Sequence, residues 1–127
     1  MCAKATAVFF TVLAMSSPAL GAEIVPDRAS DYVAFCGKAE NSDACASHIL
    51  DRMWTLHWVR IFNPDQPGVT FCGPDVSGPD ANSQIASAVA GWIAARPEQA
   101  NRPTQDAADD ALLALYPCKV PYAPLAN

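Results

Sequence analysis

FCGPDVSGPDANSQIASAVAGWIAARPEQANRPTQDAADDALLALYPC, residues 71–118, places two helical patterns between two cysteines. Each cysteine sits beside structure breakers, Cys72 before Gly73-Pro74 and Cys118 after Pro117, and so falls just outside a helix. In the first pattern Ile85, Ala88, Val89, Trp92, Ile93 and Arg96 recur at spacings of three and four, after the candidate caps Asp80, Asn82 and Ser83 and ahead of Pro97. In the second, Thr104 can cap a helix that turns Ala107, Ala108, Ala111, Leu112 and Leu115 inward and leaves Asp106, Asp109 and Asp110 facing water. A Cys72–Cys118 bridge would close a loop of about 47 residues, and the chain-entropy estimate values such a closure at about 4 kcal/mol. The stretch reads as a clamped helical hairpin.

Upstream, Asp27 can cap a helix whose apolar face is Ala29, Tyr32, Val33 and Cys36, with Gly37 placed to end it. Asn41, Ser42 and Asp43 form a second cap region, and the longest helix should run from Ala44 to about Phe62, where Asn63-Pro64 stops it. That helix is apolar over most of its girth, through Ile49, Leu50, Met53, Trp54, Leu56, Trp58, Val59, Ile61 and Phe62, a pattern of helices central in a domain or shared with a partner. Trp54 and Trp58, four apart, lie on one face with His57 alongside. Core packing is the ordinary use of such a pair; an aromatic recognition patch and a dimer face are the alternatives, and Trp54 and Trp58 are the candidate dimer residues.

Residues 63–80 carry four prolines and three glycines, too many breakers for a helix or a central strand. A long loop is expected there, tied at its middle by Cys72, with Pro64 to Gly68 and Pro74 to Pro79 as projecting lobes. A loop already pinned loses little further entropy when it enters another protein's cleft, which makes Pro74, Asp75, Val76, Ser77, Gly78 and Pro79 the candidate partner-binding residues.

The N-terminal segment reads as an address. Lys4 supplies a thin positive region, Ala5 to Met15 an apolar core, and Ser16 to Ala22 a small-residue cleavage zone, so residues 1–22 are assigned as a secretory signal peptide that would take Cys2 with it. A single helical domain, 23–119, should follow, then a flexible tail, 120–127, with two prolines. Four cysteines remain, Cys36, Cys45, Cys72 and Cys118, an even count that implies disulfides in a short exported chain. Four cysteines allow three pairings; Cys36–Cys45 with Cys72–Cys118 is favoured because each bridge then closes one helical hairpin. The expected fold is therefore all-α: a small disulfide-stapled four-helix domain with a long Pro/Gly-rich loop between helices 2 and 3.

Without Lys4 the chain has seven basic residues against thirteen acidic ones, a net charge near −6, which makes nucleic acid a poor partner. No later segment reaches the ~20 apolar residues of a membrane span, so no membrane contact is expected after signal removal. No cysteine or histidine spacing suits zinc, and His48 with Asp51 is too slight a set for a metal. His48 and His57, nine apart on one helix, point to different faces. GxSxG, P-loop, GxGxxG and HExxH patterns are absent from the sequence, and no enzyme, cofactor or metal is expected.

Phe35-Cys36, Asp43-Ala44-Cys45, Phe71-Cys72-Gly73-Pro74, a helix closing on Trp92-Ile93 and Arg96-Pro97-Glu98, and Ala111-Leu112 to Tyr116-Pro117-Cys118 occur in that order. Residues 30–119 thereby resemble the Rap/Tai family of type VI secretion immunity proteins. The resemblance implies a small helical periplasmic protein, often a homodimer, that binds a secreted peptidoglycan amidase effector and occludes its active site. Two readings from other classes stand beside it. One is a periplasmic acid-stress chaperone that opens at low pH; the other is an envelope-assembly module using Trp54 and Trp58 for a permanent partner.

Overall fold

The computed structural model describes residues 24–63, 71–74 and 78–118. The assigned signal peptide, the 120–127 tail, the Pro64 to Gly68 lobe and Asp75, Val76 and Ser77 all lie outside them. Four helices follow in order: α1 Ala29–Cys36, α2 Ser42–Phe62, α3 Ala81–Ala94 and α4 Thr104–Leu115, with single 3-10 turns at Ala39–Asn41 and Pro97–Gln99. Among the described residues extended pairing is limited to two isolated antiparallel bridges, Arg28 with Pro103 and Phe71 with Pro117. The protein is a disulfide-stapled all-α domain with its longest connection between α2 and α3. No helix among the described residues is long and apolar enough to cross a membrane.

α3 packs against all three other helices, and its buried strip is Ala81, Ile85, Ala86, Val89 and Ile93. Opposite it, Ala107, Ala108 and Ala111 of α4 are fully buried, and such short side chains let helix backbones approach closely. Tyr32, Ile49, Leu112 and Val89 are the largest fully buried side chains between them. Two details of the expected faces change: Ala88 is exposed while Ala86 takes the inward place, and Leu115 sits at the rim, 36% exposed.

The helix ends are satisfied differently from the caps read in sequence. Asp27 does not cap α1 with its side chain. The first N–H groups of α1 instead donate to main-chain carbonyls of the α3–α4 connection, Ala29 to Arg102 and Ser30 to Ala100, both at 3.0 Å. In return, the Thr104 N–H donates to the Asp27 carbonyl at 2.7 Å and its hydroxyl to the Pro26 carbonyl. The segment before α1 and the segment before α4 thus stitch each other, and the Thr104 hydroxyl is committed to that junction rather than to a cap of α4. Asn41, at the head of α2, also turns away: its Nδ2 donates to the Phe35 carbonyl at 2.9 Å and closes the C-terminal end of α1.

Cys36 and Cys45 are bridged with their Cα atoms 5.8 Å apart, joining the last residue of α1 to the first turn of α2. Cys72 and Cys118 are bridged with their Cα atoms 4.8 Å apart, fixing the connection before α3 to the segment that follows α4. Asp109 and Asp110 do not simply face water. Asp109 is ion-paired with Arg52 of α2, and Asp110 with Arg102, which also donates to the Gln99 side chain at 2.9 Å; Asp106 is exposed.

Candidate functional site

α2 has two unequal sides. Cys45, Ile49 and Leu56 are buried against α3 and α4 and form a narrow strip. Around the rest of the helix Leu50, Trp54, His57, Trp58, Ile61 and Phe62 face out, with Trp54 54%, Trp58 50% and Phe62 72% exposed. Core packing is therefore not the use of the two tryptophans. Their four-residue spacing sets them on one face, and the side chains between them order the surface. Trp58 stacks on Phe62 with ring centroids 5.7 Å apart and planes 20° from parallel, while His57 meets Trp54 and Trp58 nearly edge-on at 5.8 and 6.0 Å.

Beside this ridge lies an apolar groove of about 260 Å³. One wall is Leu50, Met53, Trp54 and His57 of α2; the other is Phe71, Cys72, Gly73 and Pro74. The second wall stands where it does because the Cys72–Cys118 bridge and the Phe71–Pro117 pairing hold it to the end of α4, with Phe71 itself buried. Gly73 has φ +77°, a left-handed conformation that favours glycine, and it turns the chain between Cys72 and Pro74. Pro74 is half-buried in the groove, whereas Gly78, at φ +122°, and Pro79 are exposed. The structure thus joins two surfaces that the sequence kept apart: Pro74 of the candidate partner loop and Trp54 of the candidate dimer face line one groove.

A second hollow, of about 360 Å³, opens between the segment before α1 and the first turn of α4, with Asp27, His48 and Asp106 on its walls. Among the described residues no three His, Cys, Asp or Glu side chains gather as a metal site. His48 and His57 take opposite roles. His57 belongs to the outer ridge, while His48 packs against Tyr32 with ring centroids 5.2 Å apart. Burial, followed by the positive charge of Arg52, holds the His48 imidazole below its ordinary pKa, against the opposing pull of Asp51 and Asp109. Burial likewise pushes the Tyr32 phenol up. The Tyr32 hydroxyl and His48 Nδ1 are both buried with no hydrogen-bond partner among the described residues.

No family model, curated protein or solved structure matches the chain. What the site can do is accordingly argued from its own surface. It offers aromatic faces, one apolar slot and few charges, which suits the non-covalent holding of an apolar or aromatic anchor on another macromolecule. Few hydrogen-bonding side chains line it, and a sugar would need them.

Proposed function

We propose that the chain is an exported, disulfide-stapled binding protein that holds a protein partner across the α2 ridge and the adjoining groove. Following the Rap/Tai resemblance, the partner is a type VI secreted peptidoglycan amidase whose cleft the complex blocks, and the compartment is the periplasm. The observation that carries the reading is the shared groove, where Trp54 and Pro74 face one slot beside an exposed aromatic ridge. Exposed tryptophans in a cluster are the residues most often found at the energetic centre of protein interfaces. An acidic balance adds attraction for a basic partner surface. Two disulfides support an oxidising compartment.

The mechanism is steric. A wall fixed by a disulfide and a helix face fixed by the core lose little entropy on binding, so the burial of Trp54, Trp58 and the groove goes mainly into affinity. A homodimer through the same ridge would compete with the effector. The test is capture by the mature, oxidised protein from an extract containing the host's type VI effectors, read by mass spectrometry together with cell-wall hydrolysis. One amidase bound at stoichiometric level with its hydrolysis lost supports the proposal. An amidase left unbound, or bound with hydrolysis intact, contradicts it, as would capture of many unfolded proteins only after acidification.

A further inference from the structure

We propose that the Cys72–Cys118 bridge is a reducible clasp: a dithiol reductant opens it while Cys36–Cys45 stays closed, and its opening frees the Phe71 to Pro74 wall of the apolar groove from the helical body. The two bridges stand in different surroundings. Cys45 is 2% exposed and belongs to the core, and Cys36 packs against that core. Cys72 is exposed and Cys118 half-buried, and Cys72 lines the open groove beside Trp54. Thiol–disulfide exchange begins when a thiolate reaches one sulfur of the bridge, so access selects which bridge reacts. A thiolate of the dithiol attacks Cys72 Sγ, the S–S bond breaks, and Cys118 leaves as a thiolate that takes up a proton. The second thiolate of the reductant then attacks the mixed disulfide and releases Cys72. Two electrons pass to the protein, the two protons given up by the dithiol end on the two cysteines, and the reductant departs as its own disulfide.

The helical body does not depend on this clasp. Among the described residues, every member of the buried apolar core except Phe71 lies in one of the four helices. The groove does depend on it. Besides the buried Phe71 ring, the second wall is tied to the end of α4 by the Phe71–Pro117 pairing and by the Cys72 N–H, which donates to the Tyr116 carbonyl at a long 3.4 Å. The facing wall, Leu50, Met53, Trp54 and His57, belongs to α2, whose inner strip is core and stays in place. Reduction therefore leaves a fixed helix face opposite a wall free to sample many positions. A partner must then order that wall as it binds, an added entropic cost. That consequence rests on the partner reading, whereas the clasp itself needs no partner.

Timed reduction of the mature, oxidised chain with dithiothreitol, followed by iodoacetamide labelling and peptide mapping, tests this. Cys72 and Cys118 are expected to take the label at least about tenfold faster than Cys36 and Cys45. At the stage where only Cys72 and Cys118 are labelled, the far-UV circular dichroism should be unchanged. The Cys72 amide should then exchange its hydrogen at least about tenfold faster than in the oxidised chain, while the Ile49 and Val89 amides keep their protection. The Cys72→Ala, Cys118→Ala variant, open without any reductant, should keep the same helical signal. Both bridges opening in step, or Cys36–Cys45 opening first, would overturn the proposal. Loss of the helical signal when Cys72–Cys118 alone is opened would overturn it too, because the bridge would then be a staple of the whole fold. An unchanged Cys72 exchange rate would do the same, since the wall would not have been released.

Discussion

Arg52 of α2 grips Asp109 of α4 through two parallel hydrogen bonds, Nε to Oδ1 at 2.9 Å and Nη2 to Oδ2 at 2.7 Å. The side chains are only 14% and 24% exposed, so the pair is held away from most of the solvent. Asp109→Asn keeps the shape but leaves the guanidinium without its counter-charge, and the expected loss is about 2 kcal/mol in urea unfolding. Arg52→Met combined with Asp109→Leu should recover most of that loss. An unchanged midpoint for Asp109→Asn alone would show that the pair contributes nothing.

Tyr32 carries a buried hydroxyl for which the described residues offer no acceptor or donor. Tyr32→Phe removes it without opening the core. The expected result is an unchanged stability or a gain of up to about 1 kcal/mol, since only an unsatisfied polar group is lost. A clear loss in thermal unfolding would mean that the hydroxyl has a partner.

His48 gives a pH dependence of definite sign. Its folded pKa lies below the ordinary value of 6.5, chiefly because burial disfavours the charged ring. The unfolded chain then binds the proton more readily, so the contribution to stability is fully present above pH 6.5 and is lost as pH falls toward the folded pKa. The expected signature is a decline of wild-type stability below that point which is shallower in His48→Gln. Parallel curves for the two proteins would remove His48 from the account.

The two bridges should not be worth the same. Cys72 and Cys118 are 46 residues apart and Cys36 and Cys45 only 9 apart. Loop entropy gives about 4 kcal/mol for the first and about 2.6 kcal/mol for the second. Cys118→Ala is therefore expected to lower the melting temperature more than Cys36→Ala, measured without reductant. Equal shifts would mean that strain or residual structure outweighs loop length.

The helices were legible because their signals are local: spacing within α3 and α4, Pro97 after one helix and Asn63-Pro64 after another. The bridges were legible because each of the two pairings closes one helical hairpin. Capping was not, because the first N–H groups of α1 are satisfied by carbonyls some seventy residues away, a match no local pattern carries. Asp109 read as a solvated acid for the same reason, its partner being 57 residues distant. The ridge was half legible. Periodicity put Trp54 and Trp58 on one face, yet α2 is apolar almost all round, and only the packing of Cys45, Ile49 and Leu56 shows which side meets the core. That Pro74 faces Trp54 across a groove depends on the Cys72–Cys118 bridge and the Phe71–Pro117 pairing holding that wall to the end of α4, a placement no local pattern carries.

The most direct test of the central claim is the affinity of the captured amidase for the wild-type protein and for the Trp54→Ala, Trp58→Ala double variant, each checked for folding by its melting temperature. Two interface tryptophans at about 2 kcal/mol each correspond to a Kd weakened by about a thousandfold, and because both side chains are about half exposed, the melting temperature should barely move. A double variant that binds the amidase as tightly as the wild type would contradict the account, because the ridge would then not be the surface that holds the partner.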